Sequence, residues 1–259
     1  MPQFDEYSQK YRFIKFTRQD GILQMTLHTD GGPLRWGLDA QAECAFALGD
    51  IGADRDNRIV IVTGTGAEFS GPRLDPDAAF FHGADLTPSG IHHVFANAKR
   101  LVNAHLNIEV PMIAVVNGPA QRHADLALMC DIVIAADDAT FEDTAHFANG
   151  GIAPGDGINV VYTLLLGLNR ARYLMLTGQV LSAKEAKDMG LVAELWPRDK
   201  LLPRAWELAR QLTKKPDMLL RYTRAVLTHP LCRMMEDGMP FYLAMEALST
   251  LDKSKQGKK

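Results

Sequence analysis

His146 and Asp156 stand ten residues apart, with Gly150, Gly151 and Gly155 between them. A glycine-rich loop of that length can fold back and bring an imidazole to a carboxylate. An imidazole whose second nitrogen donates to a buried carboxylate is held in one tautomer and its cation is stabilised, as in hydrolase triads. Such a pair acts on water or a carbon acid as general base or acid, a contribution of about 10²–10⁴ in rate. Each residue also has a purely structural reading. Most histidines are surface groups or satisfied core groups, and Asp156 in Pro154-Gly155-Asp156-Gly157 suits a turn or a helix N-cap. His123 can simply start a helix, Trp36 can pack, Glu246 can face solvent, and Asp125 can complement a helix dipole. His82, His92 and His93 have no set of carboxylate or cysteine partners near them, so no metal site is expected there.

The elements that must position these groups belong to an ordinary globular chain. Its 259 residues are 47% hydrophobic and 23% charged, which suits one large α/β domain with a full core. A net charge of −3, from 28 basic and 31 acidic side chains with no basic stripe, argues against a nucleic-acid partner. Cys44, Cys130 and Cys232 lie far apart and form no C-x-x-C pair, which fits reduced, buried thiols in a cytoplasmic protein. The opening MPQFDEYSQK reads as neither signal nor anchor, and no run approaches the roughly 18 apolar residues of a membrane span. The closing KSKQGKK is expected to be a solvated tail.

Residues 11–17 and 22–27 alternate apolar and polar about Arg18-Gln19-Asp20-Gly21, the pattern of a hairpin. Residues 58–63, 111–116 and 131–136 are short apolar, β-branched runs, expected as buried parallel strands. Helical spacing falls on 39–50, 91–106 and 123–130. Beyond 157 it falls on 158–177, 182–188, 199–214, 216–227 and 231–251, with turn signals at Gly178, Gly190, Pro197, Pro216 and Pro230. Strand, helix and strand in such quick succession predict βαβ crossovers and a parallel sheet.

The stretch VVNGPAQRHADLALMCDIVIAADDATFED (115–143) is followed by IAPGDG (152–157), LTGQVLSAKEAKDMGLVAEL (176–195) and LLPRAWELARQLTKKP (201–216). In order and spacing this resembles the crotonase (enoyl-coenzyme A hydratase/isomerase) superfamily over residues 11–251. The resemblance implies an α/β, crotonase-like spiral of βαβ units with two roughly perpendicular sheets. It further implies a core domain over 1–195, a C-terminal helical trimerisation region over 196–259, and a homotrimer or dimer of trimers.

Members stabilise an enolate oxygen with two backbone N–H groups, but here the usual glycine triplet is replaced by Ala120-Gln121-Arg122-His123-Ala124. The second donor segment reads Phe69-Ser70-Gly71-Pro72-Arg73-Leu74, in which Gly71 is left as a backbone donor. The two hydratase glutamates fall near Asp125 or Leu126 and at Phe147, so neither is in place.

His123, His146 with Asp156, Glu246 in Tyr242–Leu248 and Trp36 after Pro33-Leu34-Arg35 resemble instead the superfamily's β-diketone hydrolase branch. That resemblance implies hydrolytic cleavage of a cyclic or bicyclic β-diketone to a keto acid, a retro-Claisen reaction without metal or coenzyme. His146 and Asp156 would handle protons, Glu246 would position water or take its proton, and His123, Trp36 and Gly71 would meet the substrate's oxygens. Residues 72–95 are expected to line the pocket. The competing expectations are an atypical acyl-coenzyme A hydratase, isomerase or hydrolase, and an inactive scaffold of the same fold.

Overall fold

The computed structural model describes residues 2–71 and 87–256. Segment 72–86, with Pro72, Arg73, Leu74, His82 and much of the expected pocket lining, lies outside the described residues.

A short helix α1 (Phe4–Tyr7) leads into the hairpin of β1 (Ile14–Gln19) and β2 (Ile22–Leu27). Asp20 and Gly21 turn it with φ of 52° and 77°, a two-residue loop matched to strand twist. Next come α2 (Leu38–Ala53), β3 (Ile59–Gly64), α3 (Pro88–Leu106), β4 (Met112–Val116), α4 (Asp125–Leu128) and β5 (Ile132–Ala136). The strands β6 (Thr140–Phe141), β7 (Leu181–Ser182) and β8 (Glu194–Trp196) follow, separated by α5 (Phe147–Gly150), α6 (Ile158–Leu166), α7 (Leu168–Thr177) and α8 (Ala183–Asp188). The chain closes with α9 (Arg198–Leu212) and α10 (Asp217–Gln256).

Among the described residues the main sheet runs β1-β2-β3-β4-β5-β8, antiparallel at β1/β2 and parallel from there on. Every residue of β3 and β4 is buried, as apolar strands covered on both faces require. Helices α2 and α3 pack on each other, and α9 lies against β3, β4 and β5.

A second ladder runs past the ends of these strands and positions the site. It consists of the β6/β7 pair and single parallel bridges at Arg35/Gly71, Ser70/Ala120 and Ala120/Phe141. Four loops that are remote in sequence therefore meet side by side. They are the ones that carry Trp36, Gly71, His123 and the segment after Phe141.

Three helices differ from their sequence-based expectation. The helix expected over 123–130 shrinks to α4, because His123 sits at φ 51° and a left-handed residue cannot join a right-handed helix. The span 158–177 splits at Gly167, whose φ is 78°. The expected break at Pro230 is absent: α10 runs for 40 residues through Pro230 and Pro240. Each proline removes one helical N–H. The carbonyls left over belong to Val226 and Glu236, both exposed, where water can replace the missing donor. The buried Arg224 also ties α10 to the sheet, through Asp131 at 2.8 Å and the carbonyl oxygens of Leu106 and Ile108. Of the three cysteines, Cys44 and Cys130 are buried and Cys232 is half-buried.

Candidate active site

Asp143, just past β6, organises its own loop. One of its carboxylate oxygens accepts from the backbone N–H of Ala145 at 3.0 Å and of His146 at 3.3 Å. Both oxygens lie 3.0 Å from His146 Nδ1, so that nitrogen carries the hydrogen and donates. The chain then makes the single turn of α5, reverses at Gly151 with φ 64°, and returns to Asp156. Asp156 Oδ1 accepts from Ile158 N–H at the start of α6, and Oδ2 is turned into the site.

That oxygen stands 3.7 Å from His146 Nε2 and 3.7 Å from His123 Nδ1. One carboxylate is thus placed between two imidazoles. Glu246 reaches in from α10, with Oε1 3.9 Å from His146 Nε2. Gly155 makes this approach possible: a Cβ there would lie 2.4 Å from the Tyr242 carbonyl and 2.7 Å from the Glu246 side chain. Trp36 lies beside His123, ring centroids 4.3 Å apart and tilted by 38°. Asp125 Oδ1 is 3.4 Å from His123 Nδ1.

Two imidazoles and four carboxylates therefore share one buried cluster. Burial opposes charge on His146, but Asp156, Asp143 and Glu246 outweigh it and hold its pKa up at about 10. Burial would raise Asp143, yet the adjacent His146 cation brings it below the usual carboxylate range. Glu246 is pushed up to about 8, first by burial and then by the charge of Asp156. Burial also works against a charged His123, and Asp125 and Asp156 reverse this and raise it. Trp36 Nε1, His123 Nδ1, both Asp125 oxygens and Glu246 Oε2 are buried with no hydrogen-bond partner among the described residues. Buried polar atoms are seldom left so, which makes this cluster the candidate site.

The sequence model of the family described as enoyl-CoA hydratase/isomerase matches residues 17–256. The chain belongs to this family. A relative from Thermus thermophilus, named as an enoyl-CoA hydratase, is 33% identical over 196 residues, 74% of either chain. A short-chain-enoyl-CoA hydratase of Clostridioides difficile is 36% identical over 121 residues, 47% of this chain and 77% of its own. Among solved structures, a beta-diketone hydrolase from the cyanobacterium Anabaena, bound to (S)-3-oxocyclohexyl acetic acid, superimposes with a TM-score of 0.91. It is 38% identical and the match covers 96% of this chain and 98% of that one. An enoyl-CoA hydratase/isomerase from Mycobacterium paratuberculosis, 23% identical, shares the fold with a TM-score of 0.83 over 92% and 94% of the two chains. The crotonase-type α/β architecture with its C-terminal helical region is thus the fold of this family member. Among its described residues, no helix is long and apolar enough to cross a membrane.

Within that family fold, Trp36, His123, His146, Asp156 and Glu246 come together in one cluster. Two details differ from expectation. The carboxylate that braces His146 is Asp143 on Nδ1, while Asp156 faces Nε2. The backbone N–H of Gly71 is occupied by the carbonyl of Leu34 at 3.2 Å, so it is not a free oxyanion donor. Sequence reasoning missed Asp143 altogether, although its D-x-x-H spacing to His146 was the available signal, and it took Asp125 for a dipole partner. Among the described residues no three His, Cys, Asp or Glu side chains are arranged so that they could hold a metal ion, and His92 and His93 are exposed on α3.

Proposed function

We propose that this protein is a β-diketone hydrolase that cleaves the carbon–carbon bond between two carbonyls of a cyclic or bicyclic substrate and releases a keto acid. The observation that carries the reading is the cluster at Asp156 Oδ2, where both imidazoles stand at 3.7 Å and Glu246 closes the far side. The likeness to the Anabaena beta-diketone hydrolase supports it.

The reaction needs a base for water, donors for two oxygens and an acid for carbon. Groups whose proton affinities are pushed apart divide such roles. Burial and Asp156 raise the proton affinity of Glu246, so its ionised form, which gains population as pH approaches 8, is a stronger base than an ordinary carboxylate and takes the proton as the water oxygen bonds to one carbonyl carbon. The indole N–H of Trp36 and the imidazole of His123 donate to the oxygens that become negative. Removing one such donor costs roughly 3–4 kcal/mol of transition-state stabilisation.

The tetrahedral oxyanion then collapses. Its C=O re-forms, the C–C bond breaks, and the electron pair passes to the second carbonyl as an enolate. His146, held as a cation, gives its Nε2 proton to the enolate carbon, and the proton on Glu246 passes back to Nε2. Diketone and water become keto acid, with the second carbonyl as the only electron sink required.

Purified protein given a bicyclic β-diketone, with chelator and without coenzyme A, should release a keto acid. His146→Asn and Asp156→Asn should each lower kcat by about 10²-fold or more with the fold intact. The second reading, acyl-coenzyme A chemistry, is favoured by the names of the sequence relatives. Hydration of an enoyl thioester with no diketone turnover would replace the first reading by the second.

The enzyme works as a homotrimer or dimer of trimers in this reading. Support comes from apolar side chains that α6, α7 and α10 leave exposed, among them Leu164, Leu168, Tyr173, Leu176 and Leu227. Sedimentation velocity checks it, and a monomer at micromolar concentration would refute it.

A further inference from the structure

Asp125 has no part in the reaction as written, yet its surroundings call for one. Its side chain is 1% exposed, and neither carboxylate oxygen has a hydrogen-bond partner among the described residues. Burial raises the Asp125 carboxyl above its usual range and would leave it protonated, and the charge of His123 is the largest influence that pulls it back. His123 Nδ1 is the atom that faces it. At 3.4 Å the contact is long for a hydrogen bond, and charge is the larger part of what joins the pair.

Two further features hold the ring in place. The His123 backbone is left-handed at φ 51°, a conformation a histidine keeps only where its surroundings enforce it. The Trp36 ring, 4.3 Å away, presents a π face that favours a cation. The titratable groups around His123 are Asp125 from α4, Asp156 and His146 from the loop before α6, and Glu246 from α10. Of these, only His146 opposes a positive charge.

Building on the diketone reading, we infer that Asp125 is a positioning residue that keeps His123 doubly protonated, so that a cation, and not a neutral donor, meets the developing oxyanion. Asp125 neighbours Nδ1, which leaves Nε2–H to donate without giving up its proton. Burial by itself would strip that proton, and Asp125 is the larger of the two carboxylate influences that retain it. The site then prefers substrates that concentrate negative charge on one oxygen. It also holds carboxylate products at the same nitrogen.

The test is a pH titration of the full-length protein with 15N-labelled imidazoles, read by NMR, with His123 assigned from the signal lost in His123→Gln. In the unaltered protein both ring nitrogens of His123 should be protonated at neutral pH. In Asp125→Asn the midpoint should fall by about 1–3 pH units, while Asp125→Glu should restore it. A neutral His123 ring in the unaltered protein overturns the inference, and that measurement needs no variant to fold. An Asp125→Asn protein that loses thermal stability but keeps the His123 midpoint overturns it too, because that is the mark of a packing role. No readout uses a diketone, so a charged His123 in a protein without diketone turnover would sink the reaction and leave the pair standing.

Discussion

Two of the histidines that this chain buries are treated in opposite ways. His105 lies at the end of α3, where Nε2–H donates to the Leu126 carbonyl at 3.1 Å. Burial, then the neighbouring Arg224 cation, drives its pKa down to about 3. His146 is as deeply buried, but carboxylates surround it and its pKa rises to about 10. Burial is common to both, so the sign of the adjacent charge decides whether a histidine is an inert neutral packing group or a stored proton. The His105 region holds α3, α4 and α10 together and leaves His105 Nδ1 without a partner among the described residues, whereas the His146 region leaves several such atoms from different elements.

The sharpest way to break this contrast is to remove the charge that defines the His146 side. Asp143→Asn keeps shape but loses the charge and one acceptor oxygen, and with its remaining oxygen held by the backbone N–H groups it turns an N–H toward Nδ1 and favours the other tautomer. It should lower kcat by about 10²–10⁴-fold, with little change in the far-ultraviolet circular dichroism. A kcat within threefold of the parent would show that Asp156 alone orients the ring. On the His105 side the corresponding change is Arg224→Met, which strands Asp131 and the carbonyl oxygens of Leu106 and Ile108. It should destabilise by about 3–5 kcal/mol in urea unfolding.

A smaller effect is expected from Gly155→Ala, whose new methyl meets the Tyr242 carbonyl and pushes α10 outward with Glu246. A displacement near 1 Å should lower kcat by about 10²-fold while the titration of His123 is unchanged. Least dramatic is the dependence of stability on pH. His105 binds its proton only when unfolded between pH 6.5 and about 3, so stability falls as pH drops through that window. His146 does the reverse: its folded form holds the extra proton from pH 6.5 to about 10, and stability is lost as pH rises there, joined by Glu246 from pH 4.5 to about 8. Each group acting alone gives a slope of at most about 1.4 kcal/mol per pH unit. His105→Asn should flatten the acid limb and leave the alkaline one, which denaturant titrations across pH would read.

The strands and most helices were legible because their cause is local. The β-branched runs at 58–63, 111–116 and 131–136 have few other places to go, and Asp20-Gly21 encodes its own turn. The shortened α4 was not legible, because nothing in the neighbouring residue types marks His123 as the one that takes a left-handed φ. The continuity of α10 was hidden for a similar reason: whether a proline ends a helix depends on which carbonyl it orphans and whether water reaches it.

In the site, the convergence of His123, His146, Asp156 and Glu246 came from family pattern, since nothing within a few residues of Glu246 marks it as different from any exposed helical glutamate. The brace at Asp143 was written locally, three residues before His146, and was overlooked in favour of a partner ten residues on. Gly71 shows the opposite limit. Its residue type permits a free amide, and only the bridge to Arg35 and the Leu34 carbonyl reveal that the amide is taken.

Glu246 arrives on a helix that is also fastened to the catalytic loop further along, where Ser249 accepts from Ala153 N–H and Lys253 donates to the Gly150 carbonyl. Both imidazoles are translated some hundred residues before it. On the proposed reaction, a polypeptide halted short of that final stretch carries both rings but lacks the base for water. Ribosomal completion is then built into the proposed chemistry: fragments of this gene product, however well folded, should show no diketone turnover.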